Sequence, residues 1–478
     1  MFGLEFKIKN GVLVKYRGRK KNVFIPESVK EIGPRAFARC FRIETIAIPD
    51  GVTSIGDEAF LACRGLASIT IPDSVTYIGK KAFDSCESLG RVYIGSGVSD
   101  IGDGAFTHCE NMVSIVVGEK NKSYRSDSDV LYSADGKRLL IYPAKRHAST
   151  FSVPKQVTVI DRSAFAYSKD LARIDIPEGV TDITDWAFYS CRALVSIAIP
   201  HSVRSIGNRA FNDCDNLKSV VLPKVVKSIG DDAFGNCVSL ESITMPESVE
   251  SIGEWAFNKC ASLKSIVIPQ GVKSIGEYTF ANCTSLKSIT IPGSVDSIGS
   301  FAFFYTGLES VIIRDGVKSI GESAFALNKS LASITIPGSV EQIGEKAFFF
   351  CENLKNVSIP ESLKKLGKRA FYYNISLESI VIPGGVEVIE DHAFTNCDSL
   401  KSVTVCEGVK RIEEHTFTGH GRPFTIYLPH SIRSIGSFIW FDDMYYAGRK
   451  AEWRNVSRKH EPNSDVVHCT DGDVAYDG

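Results

Sequence analysis

The stretch LKSIVIPQGVKSIGEYTFANC, residues 263–283, decides the fold. Ile266 and Ile268 alternate with Ser265 and Val267, the two-residue period of a half-buried strand. Ile275, Phe280 and Cys283 then fall at irregular three-to-five spacing, which predicts a turn and a short helical or 3₁₀ segment on the return path. Working outward, Phe280 is one beat of a long series. Phenylalanine recurs every 23 residues at Phe37, Phe60, Phe83 and Phe106, runs unbroken from Phe165 to Phe303, and continues at Phe325, Phe348, Phe371, Phe394 and Phe417. A fixed period of this length is the signature of a solenoid, in which one coil cannot enclose its own apolar residues and the core exists because neighbouring coils stack.

The unit S-I-x-I-P-x-x-V-x-x-I-G-x-x-A-F resembles the BspA-like, or Treponema-type, leucine-rich repeats over roughly residues 23 to 440. That resemblance implies a leucine-rich-repeat solenoid, with a parallel β-sheet on one face and short turns plus short helical or 3₁₀ segments on the return path. It also implies a binding or adhesion role, often at a cell surface, and brings with it no catalytic residues, no cofactor and no particular ligand. Residues 1–22 are expected to form an N-terminal cap hairpin around Asn10-Gly11, residues 23–440 the solenoid, and residues 441–478 a C-terminal cap and tail, with Trp440 in the last phenylalanine slot. Between Phe106 and Phe165 the beat is interrupted by a 36-residue excess, and Asp135-Gly136 within it predicts a β-hairpin insertion at about 118–150. Lys137, Arg138, Lys145, Arg146 and His147 make that insertion locally basic.

Composition excludes few functions. A formal net charge of -1 gives no electrostatic case for nucleic acid or an anionic membrane, and no stretch is apolar enough to span a bilayer. Met1 to Lys21 lacks the apolar centre of a signal peptide, which makes the cytoplasm the default compartment and leaves the cell surface or secretion open if a leader was removed. Eleven of the thirteen cysteines (Cys40, Cys63, Cys86, Cys109, Cys191, Cys214, Cys237, Cys260, Cys283, Cys351 and Cys397) share one repeat position, where other coils place Ser168, Thr306, Asn328, Asn374 and His420. A shared position explains them as a buried structural ladder better than disulfide pairing or zinc does. The glycine after the second isoleucine is replaced by Asp161, Thr184, Glu390 and Glu413, so that position needs a tight bend rather than a left-handed backbone.

Departures from the repeat point to function. The outward row of the sheet is hydroxyl and β-branched and assembles no nucleophile with a base and an orienting acid. By contrast, Trp255, Tyr278 and Phe301 occupy a usually polar row in three successive coils, and Phe304, Tyr305, Phe349, Phe350, Tyr372 and Tyr373 follow their phenylalanines directly. Equivalent positions of stacked coils lie about 5 Å apart, so these side chains are expected to form an aromatic ridge for an unidentified protein partner or, alternatively, a glycan. Glu390, His392 and His415 fall in register in adjacent coils and offer a weaker alternative, a divalent-metal site supporting a metal-dependent activity. The reading favoured overall is a non-enzymatic binding scaffold.

Overall fold

A computed structural model describes residues 5–436, 441–458 and 466–475, so Trp440 lies outside the described residues. The chain divides into two compact units, Met1–Val226 and Lys227–Gly478. Each is a β-solenoid. In the first, Arg91–Ile94 pairs in parallel with Ser68–Ile71 on one side and Ser114–Val117 on the other. The register joins Ile69 to Val92 and Val92 to Ile115, a shift of one repeat each time. In the second, Ser310–Ile313 lies between Ser288–Ile291 and Ser333–Thr335 in the same manner.

Each coil contains a second strand that the spacing did not reveal. Pairs such as Ser54–Ile55 and Tyr77–Ile78, or Ser274–Ile275 and Ser297–Ile298, form their own parallel ladder. The return path carries no helical or 3₁₀ segment among the described residues, and the residues around each phenylalanine form a continuous run of turns. Among the described residues the one helix is Lys450–Trp453, in the C-terminal region. The backbone explains the missing helices. The residues two before and two after the phenylalanine adopt positive φ in coil after coil, as at Glu58 (55°) and Ala62 (56°) around Phe60 or Trp255 (60°) and Lys259 (60°) around Phe257. A left-handed residue every four positions cannot continue a right-handed helix.

The glycine after the second isoleucine has no positive φ in these coils, as its replacements foretold. What it supplies is close approach. A Cβ on Gly79 would lie 2.4 Å from the backbone nitrogen of Asp57 in the preceding coil.

The phenylalanines are buried, and rings of successive coils stack except across the insertion. Ring centroids of Phe37 and Phe60 lie 4.9 Å apart with planes at 5°, and those of Phe257 and Phe280 lie 5.5 Å apart at 1°. This is the offset stacking that aromatic quadrupoles favour. At the N-terminal end a hairpin of Phe6–Lys9 and Val12–Tyr16 turns at Asn10 (φ 50°) and Gly11 (φ 78°), and Tyr16 continues the stack onto Phe37 at 5.3 Å.

The thirteen cysteines are all free. The thiol of Cys283 donates to the carbonyl of Phe257 one coil back at 3.2 Å, and Cys63, Cys86, Cys109, Cys191, Cys214, Cys260, Cys351 and Cys397 make the equivalent bond. Asn374 and Asn328 do the same with Nδ2, at 2.9 and 2.8 Å. Burial pushes the thiols of Cys191, Cys283, Cys351 and Cys397 up to about 12, which removes thiolate chemistry.

The insertion is more regular than its length implied. Tyr124–Asp127, Val130–Ser133 and Arg138–Ile141 form an antiparallel meander, with the Asp135-Gly136 turn where the sequence placed it. Arg138–Ile141 then pairs in parallel with Val159–Ile160, and Tyr142 takes a phenylalanine slot, its ring 5.1 Å from that of Phe165 and tilted by 33°. The 36-residue excess is thus one further coil with extra residues. Its basic residues do not form a patch. Arg138 pairs with Asp161 (2.7 Å) and His147 lies 3.2 Å from Asp170, while Lys145 donates to Asn111 and Arg146 covers the rings of Tyr142 and Phe151.

Candidate interaction surface

The turn run positions the aromatic residues singled out by the sequence, all of which lie in the second unit. Trp255, Tyr278 and Phe301 occupy the left-handed position two before the phenylalanine, and Tyr305, Phe350 and Tyr373 the left-handed position two after it. Because every coil adopts this backbone, equivalent side chains leave it in parallel. Trp255 stacks on Tyr278 at 3.9 Å and Tyr278 on Phe301 at 4.7 Å, and Phe304 closes on Phe301 edge-on at 5.6 Å. Two coils further on, Phe349 stacks on Tyr372 at 5.2 Å and Phe350 on Tyr373 at 4.2 Å.

Between these tracts the coil around Phe325 carries Ser323 and Ala326, both buried. The aromatic set is therefore two stacked tracts. Leu327 occupies the row shared by Tyr305 and Phe350, and its amide donates to the carbonyl of Phe349. Exposure is uneven. Trp255 is 37% and Tyr305 48% exposed, and the other seven are half-buried against neighbouring coils. Acidic residues flank the first tract. Burial raises the Tyr278 phenol above its ordinary value, and Glu277 and Glu322 add to the rise.

The proposed metal ligands are in register but do not converge. His392 and His415 stack face to face at 5.2 Å and 16°. Of the carboxylates beside them, Glu413 pairs with Arg411 at 3.0 Å, and Asp391 pairs with Lys368 at 3.0 Å while its other oxygen lies 3.7 Å from His392. Burial lowers the His392 imidazolium below its ordinary value against the opposing pull of Asp391. Among the described residues no group of three or more His, Cys, Asp or Glu side chains gathers around a point. The parallel exit that builds the aromatic tracts also keeps these side chains side by side.

Sequence reasoning missed a third aromatic group. Tyr427 and Tyr445 stack at 5.1 Å on the outward face of the sheet, and His468 continues onto Tyr445 at 4.7 Å. Tyr427 and Tyr445 are not 23 residues apart, so the repeat carried no signal for their alignment, although His468 follows Tyr445 at the full 23-residue step.

The BspA type leucine-rich repeat region matches residues 14–128, 144–264, 206–332, 252–378 and 318–444. The chain belongs to this family. Members are generally scaffolds without enzymatic activity. The solved structure of a leucine-rich repeat protein from Eubacterium ventriosum is 28% identical, with a TM-score of 0.55 over 62% of this chain and 88% of that one. A leucine-rich repeat protein from Bacteroides ovatus is 27% identical, with a TM-score of 0.50 over 89% and 92%. A leucine-rich cell surface protein from Faecalibacterium prausnitzii is 22% identical over 94% of each chain, with a TM-score of 0.36. No curated protein matches the sequence. Among the described residues no helix is long and apolar enough to cross a membrane.

Proposed function

We propose that this BspA-type repeat protein is a non-enzymatic protein-binding scaffold, and that the stacked aromatic tract beginning at Trp255 is its contact surface. The observation that carries this reading is the continuous line Trp255, Tyr278, Phe301, Phe304, its rings held by one another and exposed at Trp255. Rigid aromatic side chains offer large contact area at low entropic cost, which is why they dominate binding hot spots. Glu277 and Glu322 beside the phenol favour a partner that brings Lys or Arg to the rim, since cations gain from both the carboxylates and the ring faces.

The experiment is affinity capture with the wild-type chain and a Trp255→Ala, Tyr278→Ala, Phe301→Ala variant, after both are shown to melt cooperatively. Loss of a salt-sensitive protein partner from the variant supports the proposal. Identical partner sets reject it. Binding confined to a glycan array would transfer the tract to the sugar-stacking alternative.

A further inference from the structure

In the first unit, the turn runs around Phe37, Phe60, Phe83, Phe165 and Phe188 are each joined to the next coil by three backbone hydrogen bonds. Lys81, Phe83 and Ser85 donate to the carbonyls of Asp103, Ala105 and Thr107 one coil on, at 3.1, 2.7 and 2.9 Å. After the insertion the same triplet resumes, from Ser163, Phe165 and Tyr167 to Asp185, Ala187 and Tyr189. In the coil between, Gly104, Phe106 and His108 are the corresponding donors, and their N–H groups have no acceptor among the described residues. Of the three residues Phe106 is buried and Gly104 and His108 are half-buried, and an unpaired buried backbone donor is rare enough to call for a physical reason.

The reason is a turn run that is two residues short. Leu139 pairs with Ile160, yet three positions separate Leu139 from Tyr142 where five separate Ile160 from Phe165. The carbonyls that would receive Gly104 and Phe106 are consequently displaced, and a cavity of about 120 Å³ opens between the coils. Phe106, Thr107, Leu131, Ile141, Arg162 and Ser163 line it together with Gly104. Phe106 stacks on Phe83 at 5.2 Å on one side, while Tyr142 turns its ring to Phe165 and Phe151. The phenylalanine ladder is broken at the same place as the hydrogen-bond ladder.

The gap therefore offers hydrogen-bond donors in the spacing of a missing turn, beside an aromatic face. Its charge does not select an anion. Asp161 is held by Arg138, Arg162 faces Asp185 at 3.9 Å, and Asp103 stands exposed at the rim. We propose that this gap binds an uncharged turn of a partner polypeptide, whose carbonyl oxygens accept from the Gly104 and Phe106 amides and whose apolar side chain packs on Phe106. Recognition of this kind takes affinity from main-chain hydrogen bonds and selectivity from the side-chain pocket.

The test uses the full chain and an acetylated, amidated peptide, Ile-Gly-Asn-Ser-Ala-Phe-Thr-Asn, a neutral form of the repeat's own turn run. Hydrogen exchange is read at single amides. Without peptide, Gly104 and Phe106 should exchange far faster than Lys81 and Phe83. With peptide they should slow by roughly tenfold or more. Thr107→Trp, which fills the cavity from its wall without touching the core stack, should abolish that protection. Slow exchange in the free chain, no protection by peptide, protection that survives in the Thr107→Trp variant, or equal protection by inorganic phosphate alone would each overturn the proposal.

Discussion

At the scale of single residues, the cysteine position has one narrow chemical role, which is to give a single hydrogen to the carbonyl of a buried phenylalanine. A thiol does this without leaving a second polar atom to satisfy. Asn374 also donates, at 2.9 Å, but its Oδ1 is buried with no partner, and the hydroxyl of Ser168 in the same row is unpaired as well. Cys260→Val should therefore lose about 0.5–1.5 kcal/mol in urea unfolding, because the carbonyl of Phe234 loses the thiol at 3.2 Å and keeps only the Cys237 amide. Cys260→Asn keeps a donor but buries an unpartnered Oδ1, as Asn374 does, and should lose more. Equal losses for the two variants would mean that packing, and not the hydrogen bond, holds the position. The core phenylalanine beside it sets the upper end of the scale. Phe257→Ala should cost about 3–5 kcal/mol, read in the same assay, since it removes a ring stacked on both faces.

At the scale of the coil, the turn run governs both fold and surface. Its left-handed positions are occupied by ordinary residues, Arg35 and Arg39 in one coil and Trp255 and Lys259 in another. Nothing in those side chains signals positive φ, whereas Gly104 and Gly419 appear in the same rows only singly. This is why the 23-residue beat, the strand alternation and the cysteine ladder are legible in the sequence while the return path, whose spacing suggests a helix, is not. The aromatic residues are legible as departures from the repeat, but their division into two tracts depends on Ser323 and Ala326, residues too unremarkable to mark a break. Backbone strain at these positions is measurable. Ala62→Gly, at φ 56°, should stabilise the chain by about 0.5–1 kcal/mol, seen as a raised urea midpoint. Gly79→Ala should act in the opposite direction by about 2 kcal/mol or more, because its Cβ would meet the backbone of the preceding coil at 2.4 Å. A neutral Gly79→Ala would show that the coils separate easily.

At the scale of the whole molecule, identical coils make small terms add. The thiols of Cys283, Cys351 and Cys397, all in the second unit, are each held up to about 12 by burial, against an ordinary value of 9.0. Between those values the folded chain keeps protons that the unfolded chain releases. The stabilisation is therefore fully present below about pH 9 and is lost as pH rises toward 12. One unit above the ordinary value, each thiol forfeits about 1.4 kcal/mol, so the three together account for roughly 4 kcal/mol at about pH 10. Urea unfolding under reducing conditions at about pH 8 and about pH 10 measures the difference. A variant carrying Asn at all three positions, the residue already used at 328 and 374, starts less stable and should lose less between the two pH values. The comparison with wild type isolates the thiols from tyrosines such as Tyr278, whose phenol burial also raises. If wild type and variant lose the same stability over that alkaline interval, these three thiols do not govern alkaline unfolding, and the sensitivity belongs to the groups that remain, Cys260 and the phenols among them.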